Sequence, residues 1–485
     1  MLTITNRLPW ILAALFVLFG AVYTSTAFGG IDSFDGEMMF RVTESLVERH
    51  SLVVSDEIFH SNEPYAVYGL GTSLFAIPLY LAGKLLGNNT RLVVSLFNPI
   101  VTALTVSLLY YFALRLGFSR LTGLFLGVCF GLGSLAWPYT KTFFSEPLIA
   151  LLLLCATYSA YAFRQTQRPL SVLALGLALG AGIITREDTL LVVPCFLLYL
   201  AWPVRREWRI RLREALLLLV PLFVLVLVTW WYHDLRFHSL LSGYVEKTGN
   251  RFDWTVGTFV TGVYGLLFST GEGLVFFTPL ALLSVLSWRH FWACQKAECV
   301  LFTFLVVERT ALFAFLVRWY GGVCWGPRYI VPTIPFLILP IGFLLRSPDW
   351  LSWRRRLVVG SLFFISFLAQ LPGVAVYYAF YWNDLIGSRM VTLDQYFFVP
   401  KYTPLWGQFR WMVEGKHTRW LLPVPPSAWE PVVRLSLLLV AMAAAATLAW
   451  LFIGDRQASS SSRLALAAAA HGSHHGEPSG TRVEV

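Results

Sequence analysis

Apolar runs of membrane-spanning length recur along this chain from Leu8 to Phe452, broken by short basic loops, and few folds are open to such a pattern. Inside a bilayer no water pairs with backbone N–H and C=O groups, so each run must satisfy them internally, as a helix. Composition agrees: apolar residues make up 57% and charged residues 13% of the 485, too oily for a soluble domain of this size. The net charge of +10 does not point to nucleic acid, because Arg and Lys fall in the loops between apolar runs, where they set orientation.

Spans are expected at 8–28 and near 92–113, 121–137, 144–163, 170–185, 189–203, 214–232, 272–288, 299–318, 329–345, 357–379 and 431–453. That makes about twelve helices in an all-α polytopic membrane protein. The first run has no small-residue cleavage site and reads as an anchor starting in the cytoplasm. Cys129, Cys155, Cys195, Cys294, Cys299 and Cys324 show no metal-ligand spacing and read as packing residues.

Loop charge sets the topology. Basic loops hold Arg115 and Arg120; Arg164 and Arg168; Arg205, Arg206, Arg209, Arg211 and Arg213; Arg289 and Lys296; and Arg346 with Arg354 to Arg356. Two spans separate each from the next, so all can share the cytoplasmic side. The segment 65–86, YAVYGLGTSLFAIPLYLAGKLL, has the length of a span, but a crossing there would put every one of these loops outside. With Gly69, Gly71, Pro78 and Gly83 weakening a continuous helix, it is expected to dip into or lie along the outer leaflet. The outer face then collects 32–63, 138–146, 185–188, 233–253, 318–328 and 381–429, the loops richest in acids, aromatics and glycine.

In the first outer loop, 29–91, Phe34, Met38, Val42 and Leu46 recur every four residues, with Glu37, Arg41, Glu44 and Glu48 on the other face. This predicts a short amphipathic helix on the membrane surface, with Asp35 in its first turn and Asp32 just before it. Two readings of the acids stand side by side. Asp35 is a helix N-cap and Glu37 pairs with Arg41 one turn on; or Asp35 is a general base within reach of whatever the bilayer presents.

The layout of one span, an acidic loop (FDGEMMFRVTESLVERHSL) and an aromatic and glycine stretch (YAVYGLGTSLFAIPLYLAGKLLG) resembles the GT-C superfamily of lipid-linked-sugar glycosyltransferases. Protein O-mannosyltransferases and the aminoarabinose transferases of lipid A belong to it. TKTFFSEPLIALLLL, ITREDTLLVVP and RWYGGVCWGPRYIVPTIPFLILP follow in the same order, so the resemblance covers about residues 8–345.

The resemblance implies a GT-C-like bundle and transfer of a sugar from a polyprenyl-phosphate donor to an acceptor hydroxyl on a lipid, glycan or protein, outside the plasma or inner membrane. It implies Asp35 as catalytic base and Glu146 as the second-loop acid that helps hold sugar or acceptor, with Asp32 as understudy; Glu37, Arg41, Tyr65, Tyr68 and Trp325 are further substrate-binding candidates of the outer loops. Where the aminoarabinose transferases carry Glu-Lys before paired prolines, this chain has Asn62, Glu63, Pro64 and Tyr65, and Arg41 is a candidate substitute for the missing lysine. Arg186 and Arg328, each at headgroup depth, suit the phosphate that leaves.

Plainer accounts fit the same residues: Arg186 bridging to Glu187 or Asp188, Arg328 snorkelling, Glu146 favoured by a helix dipole, and Trp319, Tyr320 and Trp325 forming an interfacial belt. His233, Asp234, His238, Glu246 and Lys247 read as solvated. No metal is expected to be required, though Asp35 and Glu146 could share a divalent ion. A transporter or lipid-linked-glycan flippase, a noncatalytic scaffold, and a transferase using a diphosphate carrier are the alternatives; the absence of an internal repeat weighs against the first. Residues 1–453 form the expected transmembrane unit, with a late outer loop at 380–430; 454–485, including His471, His474 and His475, reads as a disordered cytoplasmic tail.

Overall fold

The computed structural model describes residues 7–54, 64–202, 212–239, 249–347, 352–418 and 432–452. Asn62, Glu63, Arg205, Arg206, Arg209, Arg211, Glu246, Lys247 and the tail lie outside the described residues. Among the described residues the chain is all-α, with three isolated β-bridges.

In chain order the main helices are α1 (Leu8–Ser25), α2 (Phe34–Glu48), α3 (Gly71–Leu85), α4 (Thr90–Arg115), α5 (Arg120–Leu132) and α6 (Glu146–Thr166). They continue as α7 (Pro169–Thr185), α8 (Val193–Ala201), α9 (Leu212–Phe237), α10 (Val256–Phe268), α11 (Leu282–Cys294) and α12 (Lys296–Ala314). The last are α13 (Arg328–Arg346, opening on a 3-10 turn), α14 (Trp353–Ala375), α15 (Pro404–Val413) and α16 (Val432–Phe452).

Seven helices among the described residues, α1, α4, α6, α9, α13, α14 and α16, are long and apolar enough to cross a membrane. The other expected spans are shorter, broken or more charged. The span near 121–137 stops at Leu132, that near 189–203 is a 3-10 turn leading into nine α-helical residues, and that near 272–288 is interrupted before Leu282. Proline explains two of the breaks, since Pro194 and Pro279 remove backbone donors where a helix would continue. Helix α12 has 19 residues but carries Lys296, Glu298, Glu308 and Arg309. Helix α10, not expected from the sequence, is apolar and 13 residues long. Its Gly262 and Gly265 let Ala314 and Trp319 approach its backbone.

The bundle is built by neighbour packing: α1 on α4, α4 on α5 and α6, α6 on α7, α7 on α9, and α10 on α12. At one end the basic loops gather. There the Tyr161 hydroxyl donates to the Arg115 carbonyl (2.8 Å), Arg164 donates to the Tyr199 carbonyl (3.0 Å), and Phe118 packs edge-on to Phe343 at 4.7 Å. Near the other end lie α2 and α3. Helix α2 wedges Met39 and Phe40 against Tyr80, Phe97 and Phe143, and Met38 and Val42 against Leu70, Ile184 and Tyr232. Each such side chain contributes about 1.5–3 kcal/mol by burial, which anchors a helix whose remaining face is charged.

Of the six cysteines, Cys294 is exposed at the C-terminal end of α11, where the sequence suggested packing. It is the last residue of α11, beside the one-residue connection to α12.

Candidate functional site

Helix α2 begins at Phe34, and its N-cap is Ser33, in extended conformation, whose hydroxyl accepts from the Gly36 N–H at 3.1 Å. The capping task therefore falls to Ser33, not Asp35, and the Asp35 side chain is directed elsewhere. One carboxylate oxygen accepts from the Tyr68 hydroxyl at 2.6 Å, and the other meets Arg328 Nη1 at 2.6 Å.

Arg328 reaches this point because the turn before α13 is glycine-rich. Gly321, Gly322 and Gly326 all have positive φ, and a methyl on Gly326 would run into Phe277 and Leu135. The guanidinium lies 3.9 Å above the Phe144 ring, and its Nε donates to Glu146 Oε1 at 2.7 Å. Glu146 opens α6, just before Pro147, and is completely buried. Asn98 of α4 shapes the turn that presents it, donating to the carbonyls of Thr142 (2.8 Å) and Phe144 (3.0 Å). Lys141 ties the same turn to the Val374 carbonyl.

The Glu146 Oε1 that receives Arg328 also receives Arg186 Nη1 at 2.9 Å. Arg186 ends α7 in extended backbone, and its Nε turns to Asp188 Oδ1 at 3.0 Å. Asp188 Oδ2 is in turn 3.0 Å from Arg309 Nη1 of α12.

Six side chains thus form one line of alternating charge: Asp35, Arg328, Glu146, Arg186, Asp188 and Arg309. Its net charge is zero, which is what allows it to lie this deep. Removing one partner from such a buried pair costs about 3–5 kcal/mol. Burial pushes the Asp188 carboxyl up, but Arg186 and Arg309 outweigh it and hold the group below the usual range. Arg186, disfavoured by burial as a cation, is held charged by Asp188 and Glu146.

The middle residue of the same turn faces another way. Glu187 meets Arg236 at 3.2 Å and His233 Nδ1 at 3.1 Å, and Arg236 donates to the Tyr68 carbonyl at 2.9 Å. Arg236, on α9, therefore holds the stretch that points Tyr68 at Asp35. Close approach is required here as well: side chains on Gly69 and Gly71 would collide with Thr185 at the end of α7.

The other expected site residues are distributed around this line. Glu37 binds Arg41 (2.8 Å) and both terminal nitrogens of Arg91 (2.6 and 2.8 Å), a separate ion-pair group on α2. Asp32 is exposed ahead of the helix, and Tyr65 is half-buried in an isolated bridge to Val53. Trp325 is 2% exposed, edge-on to Phe277 at 5.0 Å and against Gly373, with no open face. Among the described residues no group of three or more His, Cys, Asp or Glu is placed to hold a metal ion. From the sequence Asp188 was named only as a bridge partner of Arg186, and Arg309, Arg236 and Asn98 were not singled out. The signal for Arg309 was present as a lone cation inside the apolar run LVVERTALF.

Fold and site together define an integral membrane protein of helices with a buried acid–arginine line that starts at α2. Residues 74–233 match the family model of the dolichyl-phosphate-mannose-protein mannosyltransferases. The chain is similar to that family, as its motifs suggested, over a region that holds Glu146 and Arg186 but neither Asp35 nor Arg328. A crystal structure of ArnT from Cupriavidus metallidurans bound to undecaprenyl phosphate aligns with a TM-score of 0.49 and 16% identity, over 93% of this chain and 76% of that one. Among curated proteins none matches significantly.

Proposed function

We propose that this chain is a membrane glycosyltransferase that moves a sugar from a polyprenyl-phosphate donor to an acceptor hydroxyl on the extracytoplasmic side, with inversion. The observation that carries this reading is the contact of Arg328 with both Asp35 and Glu146, at 2.6 and 2.7 Å, with Arg186 on the same Glu146 oxygen. Two guanidiniums so close suit the phosphate of a lipid donor, and the acid at the more open end, Asp35, is 18% exposed. The match to a family named for a dolichyl-phosphate-sugar donor agrees with that chemistry.

In the proposed step the acceptor oxygen bonds to the anomeric carbon as its proton passes to the Asp35 carboxylate. The bond from that carbon to the phosphate oxygen breaks on the opposite face, and the phosphate keeps the electron pair. Negative charge grows there, where Arg328 and Arg186 stabilise it more in the transition state than in the ground state. A phosphate drawing on Arg328 loosens that residue's grip on Asp35, so donor binding and release of the base go together. Glu146, enclosed and shared by both arginines, keeps them facing one point.

Sidedness rests on charge. Arg115 and Arg164 lie in the last turns of α4 and α6, the latter at the opposite end of α6 from Glu146, as expected if the basic end is cytoplasmic and the acids face outward. The location that agrees with this is a plasma or inner membrane.

The test is incubation of the purified full chain with a panel of polyprenyl-phosphate sugars, scored for hydrolysis or transfer. Asp35→Asn is expected to lower turnover by about 10²–10⁴-fold, as loss of a general base does. Glu146→Gln is expected to weaken donor use. Wild-type rates from both variants on a donor that works would overturn the site assignment.

A further inference from the structure

Arg309 is buried, with 4% of its side chain exposed, yet it is tied to both Arg186 and the backbone beside Arg328. Through Nη1 it reaches Asp188 (3.0 Å), whose other oxygen holds Arg186 Nε (3.0 Å). Through Nε it donates at 2.7 Å to the carbonyl of Tyr329, the residue next to Arg328. An aromatic shelf completes the frame. The Arg309 and Arg186 guanidiniums lie 5.0 and 5.5 Å from the Phe313 ring, and Phe313 stacks on Tyr329 at 4.0 Å and 9°.

We propose that Arg309 is a positioning residue that fixes the separation of Arg186 and Arg328, and through it the fit of the site to the lipid phosphate that leaves as a monoester. This rests on the donor-phosphate reading above. Glu146 joins the two arginines from one side, and Arg309 with Asp188 joins them from the other. Opened on either side, the frame no longer fixes the two guanidiniums relative to each other, though each keeps other partners. Arginine suits the task because its rigid planar fork sends Nε and Nη1 to two partners at fixed angles. Lysine supplies the charge for Asp188 from one flexible point and does not reproduce both ties.

The experiment titrates the full chain in lipid nanodiscs with a polyprenyl phosphate and, in parallel, with the corresponding polyprenol. Wild type is expected to favour the phosphate. Arg309→Lys is expected to weaken phosphate binding by about tenfold or more, since small misplacements of binding groups are this costly, with polyprenol binding and thermal unfolding unchanged. Asp188→Asn, a neutral isostere that breaks the same Arg186–Asp188–Arg309 link, is expected to lower the thermal midpoint, since it takes a partner from two buried arginines, and in the folded protein to show the same loss of phosphate over polyprenol binding. The double variant is expected to be no worse than either single one, as for residues that act in series. Glu298→Gln, a buried acid bonded to Tyr199 away from the strut, is the control and is expected to bind as wild type does. A folded Arg309→Lys or Asp188→Asn protein with wild-type phosphate affinity overturns the proposal, as does equal loss for phosphate and polyprenol. Wild type that does not distinguish the two lipids defeats the donor-phosphate reading itself, and this inference with it, a result separate from failure of the variants alone.

Discussion

Tyr68 shows how one hydrogen bond can carry a functional argument. Its hydroxyl donates to Asp35 Oδ1 at 2.6 Å, while Arg236 fixes its backbone through the carbonyl at 2.9 Å. A hydrogen bond to a charged group is worth about 1.5–3 kcal/mol, so Tyr68→Phe should cut turnover by about tenfold or more while leaving the KM for the donor near wild type. In an Asp35→Asn background the same change should add nothing, because the acid it orients is already gone; additive losses would show that Tyr68 acts elsewhere. At this scale the sequence led to the acids and arginines that meet, Asp35, Glu146, Arg186 and Arg328, because each is a charge beside an apolar run, although a cap, a dipole, a local bridge and snorkelling accounted for the same residues. It did not lead to the strut. Asp188 read as a local partner of Arg186, which it is at 3.0 Å, but its second oxygen faces Arg309, 121 positions further along the chain, where no local pattern could direct it.

Among the elements, α2 was legible because its period could be read directly: Met38 and Val42 are buried where a four-residue repeat put them, although Phe34 is 54% exposed. Its start was harder to read, since Ser33 and Asp35 are both good caps and only the surrounding chain decides between them. Helix α10 was missed because VGTFVTGVYGLLF, 13 residues interrupted by glycines, looks like loop until Ala314 and Trp319 are seen against those glycines. Helix α2 is fastened to the start of α4 by Glu37, whose carboxyl burial pushes up but hydrogen bonds and charge from Arg91 and Arg41 bring below its ordinary value of 4.5. A carboxyl lowered on folding contributes stability that is complete above its unfolded pKa and disappears as pH falls through the folded value. The thermal midpoint of wild type should therefore drop more steeply than that of Glu37→Gln between about pH 5 and pH 3. Parallel curves would mean that the Arg41 and Arg91 contacts contribute nothing to folding.

For the whole molecule the decisive question is whether α3 crosses the bilayer, because every later loop changes sides with it. At 15 residues it spans about 22 Å, short of a hydrocarbon core of about 30 Å. It also runs beside α2 rather than away from it. Ser73 donates to the Met39 carbonyl at 2.8 Å, and at the far ends Tyr80 and Lys84 both bond Glu48, at 3.0 and 2.9 Å. A helix held at both ends along an amphipathic neighbour shares its level, so α3 is expected to lie with α2 near the outer surface. The consequence is measurable with single cysteines placed in a background from which Cys294, exposed on α11, and the other five have been removed. Asp32→Cys and Asn88→Cys flank α2 and α3, and Ser119→Cys lies past α4; all three positions are exposed. A membrane-impermeant thiol reagent applied from outside should label the first two and spare the third. Labelling of Asp32→Cys and Ser119→Cys together, with Asn88→Cys spared, would mean that α3 crosses, moving the basic loops outward and separating the charge rule from the side on which Asp35 works.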